Sequence, residues 1–122
     1  MKTEQIRTQL TNLNNSLTEI EDSAVILSDG FVVASKIVHN FDEERIGTIS
    51  AALFGLANKA AQEFEKDEAQ YVLIKCNKNY IAIFRAGMNA ELFVDFKDNA
   101  NIEKILKECI LVSQEIAKLI AA

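Results

Sequence analysis

The sequence predicts an α/β (α+β) fold, a three-layer sandwich in which a five-stranded antiparallel sheet carries the two terminal helices on one face and the middle helix on the other. Three observations predict it. The apolar periodicity changes from helical to strand-like and back, in the order helix, two strands, helix, three strands, helix. The turns inside each strand group are short, which makes sequential strands antiparallel neighbours. The strands of the second group carry apolar residues on both faces, so both faces are at least partly covered.

The first helix is expected over residues 2–21. Ile6, Leu10, Leu13, Leu17 and Ile20 recur at steps of four and three, a narrow stripe on one face. Two short strands follow, at 24–28 and 31–35, joined by Asp29-Gly30, a pair suited to positive φ in a tight hairpin. Residues 36–41 form a connection. The second helix is expected over 42–65, capped by Asn40 or Asp42, with Asp42, Glu43 and Glu44 at its positive end. Its core stripe reads as Ile46, Ile49, Leu53, Leu56, Ala57, Ala60 and Phe64. Three strands are then expected at 70–77, 79–85 and 90–96. The last helix, over 101–121, has the inward stripe Ile102, Ile105, Leu106, Cys109, Val112, Ile116, Leu119 and Ile120, with Asn99 or Asn101 as cap. Leu111 points away from that stripe.

A chain of 122 residues fits one domain, taken as 1–122. Apolar residues make up 49 %, enough for a core, and charged residues 25 %, which is ordinary. The net charge is −5, and no Lys/Arg cluster is longer than two, so neither nucleic acid nor an anionic membrane surface is expected as a partner. No apolar run approaches a membrane span, and the polar start lacks a signal-peptide core, so a cytoplasmic location is expected. Cys76 and Cys109 read as two buried, reduced thiols.

The second face of the middle helix carries Gly47, Ala51 and Gly55 at steps of four, flanked by Phe54, Asn58, Ala61 and Gln62. Residues four apart stack on one helical face. A helix facing only water has no reason to hold two glycines, each costing about 1 kcal/mol against alanine. The pattern predicts a helix–helix dimer contact with Phe54 as apolar anchor; the competing reading is a wide helix buried inside one subunit.

Catalytic constellations are missing. The one histidine, His39, reads as a solvated loop residue, and a Ser-His-Asp or Cys-His arrangement would have to use it. Metal sites normally draw on several His or Cys ligands, so no metal and no cofactor are expected. No phosphate-cradling glycine loop occurs. Asp29 is a turn residue, and the run Asp42-Glu43-Glu44 is explained by helix-start electrostatics. No catalytic residue is assigned, and the chain is not expected to be an enzyme.

The stretch Ser23-Ala24-Val25-Ile26-Leu27-Ser28-Asp29-Gly30-Phe31-Val32-Val33-Ala34-Ser35 resembles the first hairpin of the roadblock / dynein light chain family: apolar residues, a D-G turn, then a short run ending in A-S. The Ala/Leu-rich second helix and the Arg85-Ala86-Gly87 turn of the meander are similar to family sequence as well, in the MglB-like single-domain form. The resemblance implies a profilin-like roadblock fold and a homodimer or heterodimer, in which two middle helices pack together and two edge strands pair. Carried onto this chain, the interface comprises Gly47, Ala51, Phe54, Gly55, Asn58 and Gln62 on the helix, with Tyr71 and Leu73 on the strand over 70–77. It further implies a homodimeric, non-enzymatic binding platform that regulates or scaffolds a small Ras-like GTPase. MglB-like members act as GTPase-activating proteins without supplying an arginine finger, and Arg85 is not read as one. The alternatives are a dynein-type structural adaptor and a profilin-like sensory domain holding a small ligand.

Overall fold

Residues 1–65 and 67–122 are described by the structure, a computed structural model. The elements are α1 (Thr3–Ser16), β1 (Ile20–Leu27), β2 (Val32–Lys36), α2 (Glu43–Glu63), β3 (Tyr71–Lys75), β4 (Asn79–Arg85), β5 (Ala90–Lys97) and α3 (Ile102–Ala121). The five strands form one antiparallel sheet in the order β2-β1-β5-β4-β3. The long step from β2 to β3 is made by α2, and it leaves β2 and β3 as the two edges.

Each element ends where its local chemistry changes. α1 stops at Ser16, four residues before the periodicity does, because Leu17 takes an extended φ of −121°. The stripe continues through Leu17 and Ile20 since both still point into the same core from the turn and from β1. The β1–β2 loop closes with Gly30 N–H donating to Leu27 O and Leu27 N–H donating to Phe31 O, each at 2.8 Å. Only Gly30 takes a positive φ there, +96°, so the turn needs one glycine and not a pair of left-handed residues. Asp29 instead accepts the Phe31 N–H at 3.0 Å. Asp42 caps α2 by accepting from Glu44 N–H and Arg45 N–H, and Asn101 caps α3 by accepting from Lys104 N–H.

Two cores flank the sheet. On one face α1 and α3 lie side by side, and Ile6, Leu10, Ile105, Cys109 and Ile116 close over Leu92, Val94 and Phe96. On the other, α2 covers a smaller cluster of Ala24, Ile26, Phe54, Ile83 and Phe93. The predicted sandwich is the observed one. Cys109 is buried, and loss of solvent pushes its thiol up to about 12. Cys76 is exposed, contrary to expectation, because β3 ends at Lys75 and leaves it in the edge turn.

The α2 face of the sheet also holds buried acids. Glu91 accepts from Ser28 Oγ at 2.9 Å, while its Oε1 has no partner among the described residues. Burial raises its pKa, with Ser28 and Arg85 opposing. A carboxyl whose pKa is raised on folding favours the fold most below its unfolded value and costs stability as pH rises through the folded one. Urea unfolding is therefore expected to show wild-type stability falling relative to Glu91→Gln as pH rises above 4.5, the ordinary value for the group; parallel pH profiles would contradict this.

Candidate functional site

α2 crosses its sheet with one side down. Gly47, Ser50 and Phe54 are buried, Ile46, Ala51, Leu53, Ala57, Asn58 and Ala61 are half-buried, and the opposite side is open. This rotates the helix relative to the stripe read from sequence. Ile49 (55 %), Leu56 (66 %) and Phe64 (72 %), expected in the core, are exposed, as is Ala60. The small-residue face, expected to meet a second chain, lies largely against the chain's own sheet.

The reason lies at Gly47. A Cβ there would stand 2.2 Å from Gly30 O and 3.0 Å from Val32 Cγ2. The helix rests on the β1–β2 turn, and only glycine permits that approach. Gly47→Ala is expected to cost about 1–3 kcal/mol as an overpacking change, despite the better helix former. A stability equal to or above wild type in urea unfolding would show that the turn yields freely.

The other predicted residues divide. Phe54 is 3 % exposed and lies under Arg85, whose guanidinium carbon is 5.3 Å from its ring centroid. Asn58 accepts from Ala69 N–H at 3.1 Å and from Arg85 Nη2 at 2.5 Å, while Arg85 Nε donates to Ala69 O at 3.0 Å. Asn58 and Arg85 thus tie the end of α2 to the strand entry. Gly55, with nothing within 4 Å of a built Cβ, and Gln62 are open. Tyr71 and Leu73 are exposed on β3, whose outer edge pairs with no described strand. Leu111 is exposed on α3, as read from its position off the stripe.

What the structure brings together is an apolar stripe at steps of four, three and four, Ile49, Leu53, Leu56 and Ala60, of which Leu53 is half-buried against the core and the other three face outward. That step pattern follows the seam geometry of paired helices. The spacing is visible in the sequence, but burial decides which way it faces. Beside the stripe runs a groove of about 610 Å³ between α2 and the far end of β3, β4 and β5. Ile49, Leu53, Ile74, Ile81, Ile83 and Phe93 line it, with Arg45 and Asp95 among its polar members.

Asp95 belongs to a cluster that sequence reasoning missed. A bulge between Ile20 and Asp22 sets Asp22 directly across from Asp95. Asp22 is fully buried and Asp95 is 8 % exposed. Asp22 Oδ1 accepts from Val38 N–H at 2.8 Å and His39 N–H at 3.3 Å, and Asp22 Oδ2 lies 2.5 Å from His39 Nδ1. His39 is therefore anchored to the sheet, not a free loop residue. The hydrogen bond that the ring donates to Asp22, and the charge of that carboxylate, raise the imidazole's pKa. Burial, together with the facing Asp22, pushes Asp95 up to about 6, against the hydrogen bond from Asn79. The available signal was a pair of acidic residues inside each of two apolar strand runs, Ile20–Leu27 and Ala90–Lys97.

Among solved structures the chain is similar to MglB of Myxococcus xanthus, with a TM-score of 0.90 at 14 % identity over 98 % of this chain and 90 % of that one. It is similar to an MglB with a tetrameric arrangement, with a TM-score of 0.89 at 16 % identity over 97 % and 89 %. LokiProfilin1, solved in complex with rabbit actin, matches with a TM-score of 0.66 at 14 % identity over 95 % and 96 %. These likenesses show the fold, which is the profilin-like roadblock architecture. Comparison with curated protein sequences finds no match. No described helix is long and apolar enough to cross a membrane. The model of the Roadblock/LC7 domain matches residues 7–96, most of the chain with the hairpin, α2 and the meander inside it, and the chain belongs to that family.

Proposed function

We propose that this chain is a homodimeric, non-enzymatic binding platform that regulates or scaffolds a small Ras-like GTPase. The observation that carries the reading is the pairing of an outward apolar stripe on α2 with an unpaired edge at β3. An open edge strand is a template for another strand, and β3 offers Tyr71-Val72-Leu73-Ile74 with no proline or bulge to blunt it. An exposed apolar row next to such an edge is the signature of a covered interface. Two copies joined at β3 would continue the sheet, with their α2 stripes packed together. The dimer surface then comprises Ile49, Leu53, Leu56 and Ala60 with Gly55 and Gln62 beside them, and Tyr71 and Leu73 at the strand. Phe54, Gly47 and Asn58 support it from below.

Membership of the Roadblock/LC7 family and the likeness to MglB support a small GTPase as the partner. The net charge of −5 and the lack of any Lys/Arg cluster disfavour nucleic acid and anionic membranes. No side chain here is assigned to chemistry on GTP, so any effect on hydrolysis would come from reshaping the bound GTPase. Purified Ras-like GTPases from the same source, loaded with GDP or a non-hydrolysable GTP analogue, are the test. At least one is expected to co-elute with the chain in one nucleotide state, and failure in both states across the set would remove the GTPase from the proposal.

The small-ligand reading has one observation in its favour. The groove has the size of a ligand pocket and gathers Ser50, Arg45, Asn40 and Asp95 around an apolar lining. Native mass spectrometry decides it: a small molecule retained by the folded chain would move the groove from interface to pocket.

A further inference from the structure

The cluster behind the groove is short of positive charge. Asp22 and Asp95 face each other across β1 and β5, both more than nine-tenths buried. Glu21 adds a third carboxylate, with Oε2 3.8 Å from His39 Nε2. Against three carboxylates stands one imidazole, and none of the three is paired with a lysine or arginine among the described residues. Like charges directly opposed on a sheet are destabilising, and burial magnifies the penalty.

We propose that Asp22, His39 and Asp95 bind one divalent transition-metal ion of the zinc class. One donor atom from each lies within 4.8 Å of the others. Two ligands 2.0–2.1 Å from a tetrahedral ion stand about 3.3 Å apart. The short side, 2.5 Å between His39 Nδ1 and Asp22 Oδ2, is below that value, and all three donor atoms lie within 4.8 Å of one another. His39 sits in the connection between β2 and α2, so a small retreat of the ring opens the short side.

The surroundings fit a metal centre beyond the three donors. Ligating carboxylates and histidines are normally oriented by outer hydrogen bonds. Here Asp22 Oδ1 is held by two backbone N–H groups, leaving Oδ2 for the ion. Asn79 Nδ2 donates to both Asp95 Oδ1 at 3.0 Å and Glu21 Oε1 at 2.7 Å. Glu21 Oε2 waits on the far side of the imidazole, where a metal-bound histidine directs its remaining N–H. Asp95 also borders the groove, which gives the ion an entry path and leaves a fourth position for water. A bound ion would pin the β2–α2 connection to the sheet at the start of the helix that carries the proposed interface.

The test is zinc titration of the untagged chain after EDTA treatment, by calorimetry with metal analysis of the gel-filtered protein. Cys76→Ser serves as a control for the exposed thiol. One zinc per chain is expected in wild type and in Cys76→Ser, with a rise in melting temperature on loading. Asp95→Asn and His39→Gln are each expected to weaken binding at least a hundredfold while remaining folded by circular dichroism. Asp95→Asn relieves the carboxylate pair; should it nevertheless unfold, His39→Gln, at a loop position, carries the comparison. No stoichiometric uptake by wild type, or uptake that survives both substitutions, overturns the proposal and leaves a proton-sharing carboxyl pair in its place.

Discussion

Phe54→Ala is expected to lower the unfolding free energy by about 3–5 kcal/mol, the range for deleting a buried phenylalanine side chain. The ring is 3 % exposed and is the centre of the cluster formed with Ala24, Ile26, Ile83 and Phe93. Ile46 and Leu53 of α2 pack against the edge of that cluster, so the void can close only in part. Removing the ring also frees the Arg85 guanidinium, which then holds α2 only through Asn58. Leu56→Ala, two residues further along the helix, serves as the contrast. Its side chain is 66 % exposed, and a substitution on such a surface normally stays within about 0.5 kcal/mol for an isolated fold. Urea unfolding at protein concentrations low enough to separate subunits distinguishes the two. Similar losses for both variants would mean that α2 is not rotated as described.

Leu56→Arg is expected to leave the fold intact and to weaken self-association at least a hundredfold, about 3 kcal/mol or more. On a free helix the arginine points to water. In a packed pair it places an unpartnered charge beside its symmetry mate, since the two α2 stripes meet at equivalent positions in a two-fold dimer. Ile49→Arg, on the same stripe, is expected to act in the same direction. Circular dichroism at matched concentration checks the fold, and sedimentation velocity reads the association. An unfolded Leu56→Arg would place that residue in the core, and an unaffected dimer would move the interface elsewhere.

The sandwich was legible because its signals are local. The D-G hairpin, the short turns of the meander and the narrow stripes of α1 and α3 each declare one element, and the order of elements leaves few ways to layer them. The rotation of α2 was not legible. Both its faces are apolar or small, so periodicity finds two stripes and cannot rank them. Gly47 settles the matter through a contact with Gly30 O, a residue seventeen positions earlier. Of the small residues whose spacing suggests a meeting of two chains, Gly47 answers to the chain's own hairpin, whereas Gly55 stands open. Tyr71 and Leu73 were placed on an edge strand by the family resemblance alone; β3 is an edge of the sheet, and they are exposed on it. The Asp22–His39–Asp95 cluster was hidden for a different reason. Its members are far apart in sequence and meet only through the β1–β5 pairing, whose register depends on a bulge. His39 alone gave no hint of a fully buried carboxylate behind it.

The measurement that bears most directly on the proposed platform is the solution mass of the pure chain by light scattering at micromolar concentration, with Leu56→Arg run beside it. The account predicts a wild-type particle of two chains or a multiple of two, and a folded Leu56→Arg variant at the 13.6 kDa of a single chain. A wild-type monomer would contradict it, and the exposed stripe on α2 would then be a surface for some other partner.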